Sequence, residues 1–321
     1  MNSHGAPFTG LEQAVLKTVA FFDVFDYPLT AIEVHKWLYQ PDQRYSLLEI
    51  LVALSSDSLA TQLETKNGFY FLIGRAHTTT IRLERYQIAE KKFYIALRAA
   101  RFLRYIAFVE LVAVCNNVGY NNGSAESDID FFIVAKSGRL WWARLLVTTA
   151  TTLLGIRRHG IKIVDRVCLS FYTADSRLNL FDIALAPDDP YLVYWFATLA
   201  PIYDSGTTYQ TFLSKNTWLQ AYLPHFHATT LSDRRRITDT PLAVFSKTLD
   251  RKILTGGTGA FFERLAKRLE RVRMQRYLGD SLGEHNSNVV VTDDMLKLHK
   301  TDRREIFKQR WHERLTQMGI V

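Results

Sequence analysis

Apolar residues in LEQAVLKTVAFF (residues 11–22) recur at helical spacing, which predicts an amphipathic helix that FDYPLT ends at Pro28. Two further helices are announced by capping boxes, TAIE from Thr30 and SLLE from Ser46. In each, the hydroxyl accepts from the third amide and the glutamate reaches back to the first. These helices are expected to run to about Leu38 and Ser55. LATQLETKNGFYFL then gives two strand-like runs joined at Asn67-Gly68, the usual signal for a two-residue hairpin turn. Helices followed by a hairpin predict a winged helix over residues 1–74.

A long helical stretch rich in Arg, Glu, Lys and Ala follows as a connecting helix over residues 75–106. Beyond it the period changes. VELVAVC (109–115), DFFIVA (130–135) and RVCLSFY (166–172) are short continuous apolar runs, the mark of buried strands, and residues 140–154 form a helix between the last two. Strand, strand, helix, strand describes a small mixed-sheet domain over residues 107–185. Residues 186–321 read as mainly helical, with helices near 191–199, 209–213, 216–223 and 303–317. Turns fall at Pro201 and Asp204-Ser205-Gly206, a flexible interruption at TGGTG (255–259), and a short strand-like VVV at 289–291. The expected class is α+β: an N-terminal winged helix, a small mixed-sheet domain and a helical C-terminal region.

Composition narrows the picture. The 321-residue chain is 47% hydrophobic and 22% charged, which fits a folded rather than a disordered protein. Of the net charge of +8, nearly all lies after Leu231, where 19 Lys/Arg face 12 Asp/Glu. That imbalance suits an anionic partner (a nucleotide, a nucleic acid or a membrane surface) and equally a solvated basic helical region. Cys115 and Cys168 sit in strand-like runs, so no disulfide framework is indicated, and MNSHGAPFTG lacks the parts of a signal peptide. The longest apolar stretch, 140–156, contains Arg144 and four threonines and is too short and polar for a membrane span. A cytoplasmic location is the expectation.

The chemistry concentrates in NNGSAESDID (121–130). Asp128 and Asp130 are separated by one residue at the start of a strand, so both side chains aim to one face while Ile129 points to the other. Two carboxylates this close repel unless a cation lies between them, and Mg²⁺ takes oxygen ligands while leaving positions for water and phosphates. SDIDFFIVA, preceded by a strand and a polar connection, resembles the nucleotidyltransferase superfamily that includes DNA polymerase beta and the aminoglycoside nucleotidyltransferases. FDVFDYPLT, RLLVTTATTLLGIRRHG, VCLSFY and TYQTFLSKNTWLQAYLP resemble a bacterial group in which a winged helix precedes such a domain. The resemblance implies transfer of a nucleoside monophosphate from an NTP to an acceptor. Asp128 and Asp130 would hold the divalent metal, and a Gly-Ser pair with the following helix start would cradle the triphosphate.

The chain departs from that pattern in two places. Gly123-Ser124 lies too close to Asp128 to leave room for a helical turn, and the Gly-Ser position, directly after Cys115, is taken by Asn116-Asn117. Asparagine tolerates the left-handed backbone and offers an amide donor, yet it adds bulk where a phosphate must approach. The third strand also carries Ser170 at its centre and no acid; Asp165, just before it, is an ordinary turn residue or, in a different register, the third acid. Asn116, Asn117, Ser127 and Lys136 are the candidate nucleotide-binding residues. Arg157, Arg158 and His159 form a basic cluster suited to a triphosphate or simply to a helix C-terminus.

Two functions follow as expectations. One is an Mg²⁺-dependent nucleotidyltransferase with an NTP and an unidentified acceptor. The other is a catalytically impaired relative acting as a nucleotide-binding or protein-interaction module. Sequence-specific DNA binding is not expected, because SLLEILVALSS, the helix a winged helix would lay in the major groove, has no Arg or Lys.

Overall fold

The structure is a computed structural model that describes residues 8–228, 230–279, 289–299 and 302–320. The first helix, α1 (Gly10–Asp23), opens on a capping box the sequence reading passed over: Thr9 accepts from the Glu12 amide and Glu12 returns to the Thr9 amide. Strand β1 (Leu29–Thr30) leads into α2 (Ala31–Lys36) and α3 (Leu47–Leu54), each headed by the expected box at Thr30 and Ser46. After the short α4 (Asp57–Ala60), β2 (Leu63–Lys66) and β3 (Phe69–Leu72) pair antiparallel, and β1 adds to β3. Asn67 and Gly68 both take positive φ, 55° and 78°, as a tight hairpin turn of this kind requires.

The 26-residue α5 (Thr78–Leu103) crosses to a second sheet. Its strands are β4 (Val109–Val114), β5 (Ile129–Ala135), β6 (Val167–Ala174), β7 (Ala200–Asp204), β8 (Val289–Val291) and β9 (Met295–Leu298), in the order β7-β4-β5-β6-β9-β8. Only β5 and β6 are parallel, linked through α7 (Leu140–Leu153), so the sheet is mixed and the class is α+β. The one-turn α6 (Asn116–Gly119) follows β4. The remaining helices are α8 (Pro190–Ala197), α9 (Thr208–Lys215), α10 (Leu219–Tyr222), α11 (Pro241–Ile253), α12 (Gly256–Leu278) and α13 (Arg304–Gln317).

Alternation divides the sheet residues between two cores. Val112, Val114, Ile129, Phe131 and Ile133 face α5, α7 and α12. Leu111, Ala113, Phe132, Val134 and Phe171 face α8, α9, α13 and the N-terminal helices, in one cluster that runs from Val15 to Leu315. Residues 186–321 are mainly helical, as expected, and β7 and the β8–β9 hairpin enter the sheet as well. The turn expected at Pro201 is not there: Pro201 sits inside β7, an edge strand, at a register shift in the β4–β7 ladder. The TGGTG stretch opens at the break between α11 and α12, and Gly256–Gly259 form the first turn of α12, where amides need no intrahelical acceptor. Among the described residues no helix is long and apolar enough to cross a membrane.

Candidate functional site

The site forms where β4 and β5 meet. The Cys115 amide donates to the Asp130 carbonyl (3.0 Å), continuing the ladder one residue past β4. Asn116 then takes φ of +56°, which turns the chain into α6. Few side chains accept that conformation and asparagine is one of them. Gly119 closes the turn at close quarters: a Cβ there would meet the Thr198 carbonyl at 2.7 Å. Asp128 and Asp130 share the face of β5 that carries Phe132, and Ile129 is buried on the opposite side, as the alternation requires.

Hydrogen-bond donors converge on the two acids. Asn116 Nδ2 donates to Asp130 Oδ2 at 2.7 Å, while Tyr191 Oη donates to Asn116 Oδ1 at 3.2 Å. Arg158 Nη1 reaches Asp128 Oδ2 at 2.5 Å and lies 3.8 Å from Cys168 Sγ. Cys168 is opposite Asp130 in the parallel register, just before a bulge in the β5–β6 ladder. One ligand atom from each of Asp128, Asp130 and Cys168 falls within 4.8 Å of the others. Burial and the neighbouring Asp128 push the Asp130 carboxyl up to about 6. Burial, then the two carboxylates, push the Cys168 thiol well above its usual range.

A buried lysine braces the strand entrances. Lys92 of α5, its side chain fully buried, donates to the Ser127 carbonyl and to Asp165 Oδ1, both at 2.7 Å. Ser127 immediately precedes Asp128, and Asp165 (φ +54°) immediately precedes the approach to β6. Asp165 is therefore a tether for Lys92 and not a third acid beside the pair.

Four candidates from the sequence separate in space. Asn116 joins the acids. Asn117 turns away and accepts from Tyr120 Oη at 2.7 Å. Ser127 offers its backbone to Lys92, while its hydroxyl donates to the Ser124 carbonyl. Lys136 lies past the far end of β5, roughly 20 Å along the strand from Asp130, and pairs there with Asp175 at 2.6 Å. It cannot serve a phosphate held at the acids.

Arg158 is the member of the basic cluster that arrives, because Arg157 bridges to Val167 and the Arg158 amide bonds the Val167 carbonyl, pinning the loop to the start of β6. The sequence reading missed β9. Lys297 stands opposite Phe171 on the same face of the sheet, and His299 follows two residues on. Burial and Arg304 push Lys297 down to about 8, and burial with Lys297 pushes His299 down to about 4; Arg158 also acts on His299. Asp302, Arg304 and Asp189 complete this polar group, with Arg304 paired to both acids.

The space beside Asn116 is small. A cavity of about 20 Å³, lined by Phe25, Asn116, Asn117, Tyr120 and Tyr191, has room for roughly one water. Phe307 of α13 stacks on Tyr191 and tilts against Phe25, which walls the acids from the N-terminal side. Comparison with known protein families, with curated proteins and with solved structures finds no match to this chain.

Proposed function

We propose that this chain is a nucleotidyltransferase-type enzyme in which Asp128 and Asp130 bind a divalent cation, Mg²⁺ by the hardness of its oxygen donors. The observation that carries the reading is the same-face carboxylate pair at a strand entrance, facing a helical turn headed by a positive-φ residue and flanked by Arg158. The donor set suits the ion: two carboxylates face one spot, and burial with the neighbouring Asp128 already disfavours the charged form of Asp130. Cys168 is a soft donor and a poor partner for Mg²⁺, so it lies beside the cation rather than on it. When bound, the cation would neutralise charge on the phosphates. Arg158, released from Asp128, would be free to take a phosphate oxygen. The acceptor oxygen would bond the α-phosphorus, the bond to the β-phosphate oxygen would break, and pyrophosphate would leave with the acceptor proton passing to solvent. The N-terminal unit fits a winged helix with a protein-facing role, since the outward Leu48 and Val52 of α3 are exposed and the helix has no cation.

A second reading is favoured by the Asn116 side chain on Asp130 and the cavity of about 20 Å³ beside it. It makes the domain a catalytically impaired nucleotide-binding or protein-interaction module. Calorimetric titration with Mg²⁺ and each NTP separates the two. The first reading expects Mg²⁺-dependent binding that Asp128→Ala and Asp130→Ala abolish with the fold intact. Absence of such binding in the wild type would sink it, and recovery of binding in Asn116→Gly would then trace the defect to that side chain.

A further inference from the structure

Away from the carboxylates, the outer side of α12 presents an unusual combination. Phe261, Leu265, Leu269 and Val272 are each between 40 and 57% exposed, and steps of four, four and three place them in one row. Arg264, Arg268 and Arg271 are exposed in a second row roughly a quarter-turn away. Among the described residues no carboxylate pairs with Arg264 or Arg268. The two acids of α12 are committed inward: Glu263 accepts from the Trp141 and Trp142 amides, and buried Glu270 pairs with Arg144 and Arg273. The preceding helix repeats the apolar half of the pattern. On α11, Leu242, Phe245, Leu249 and Ile253 are exposed in a row while Ala243 and Lys247 are buried.

We propose that this face docks on an anionic lipid surface, with the apolar row at the acyl boundary and the arginines among the headgroup phosphates. Each row alone has other partners, but together they select this one. A nucleic acid would satisfy the guanidiniums and leave Leu265 and Leu269 against phosphates and water. A second copy packed on the same face would cover the apolar row but bring no carboxylate of α12 to the arginines, because both of those acids are committed inward. A bilayer rich in anionic headgroups receives apolar and cationic groups from one helix side at once. The inference does not depend on what Asp128 and Asp130 do.

Co-sedimentation of the full chain with vesicles tests it, using phosphatidylcholine alone and phosphatidylcholine mixed with phosphatidylglycerol. The wild type should sediment with the mixed vesicles, not with the neutral ones, and release as salt is raised. Arg264→Gln with Arg268→Gln should weaken binding roughly thirty-fold at low salt. Leu265→Ser with Leu269→Ser should abolish it, with circular dichroism unchanged because both positions are on the outside. No binding to the mixed vesicles, or equal binding to both kinds, overturns the proposal. So does RNA binding that the leucine pair leaves intact in a chain that ignores vesicles, or a dimer in light scattering that the leucine pair dissolves without any vesicle binding.

Discussion

Asp130 shows what it costs to bury one carboxylate beside another. Burial and Asp128 raise its carboxyl to about 6, well above the value of roughly 3.9 that it has in an unfolded chain. A group shifted upward in this way contributes stability that is present below about pH 4 and is lost as pH rises through about 6. Asn116 Nδ2 on Oδ2 reduces that loss without removing it. Asp130→Asn keeps an acceptor for Asn116 and discards the charge. In chelator and without divalent cations, urea denaturation should find this variant more stable than the wild type by up to about 3 kcal/mol at pH 8. The two should be indistinguishable near pH 3.5. A stability gain that persisted at the acid end would show that packing, not ionisation, is responsible.

At the scale of single elements, two capping boxes with the same chemistry have unequal consequences. Glu49 of α3 serves only Ser46 and is exposed, whereas Glu33 of α2 also takes Tyr27 Oη and two guanidinium nitrogens of Arg82 from α5. Glu49→Ala should therefore leave thermal and urea unfolding nearly unchanged, and Glu33→Ala should cost about 2–4 kcal/mol, since it leaves half-buried Arg82 without its acid. Equal costs would mean that Arg82 finds another partner.

Both boxes were legible because their signals are local, and β4, β5 and β6 because strands buried on both faces read as continuous apolar runs. Strand β9 was not, because MLKL is four residues long and Lys297 occupies a buried position. Pairing with β8 and β6 makes it a strand, and the β6 pairing brings Lys297 and His299 toward the acids. Asn116 was legible from its spacing after β4. Lys136 was misplaced because closeness in sequence to β5 says nothing about which end of the strand holds the site.

The whole molecule is tied together across its length. The hydrophobic cluster beneath the acids contains Val15 and Phe22 from α1, Phe132 from the sheet, Phe196 from α8, and Trp311 and Leu315 from α13. Trp311 Nε1 donates to the Lys17 carbonyl at 2.9 Å, and buried Asp23 receives both Arg75 and Arg314. The last helix thus closes the N-terminal unit onto the sheet, and Phe307 on the same helix walls the acids. A core shared in this way predicts a single cooperative transition rather than separate melting of an N-terminal unit. Leu315→Ala, which empties a fully packed position of that core, should cost about 2–4 kcal/mol. It should move the far-ultraviolet circular dichroism and tryptophan fluorescence transitions together. Transitions that part company in the variant would mean that the N-terminal unit holds its fold without α13, and that the walls around Asp128 and Asp130 can open without unfolding the sheet that carries them.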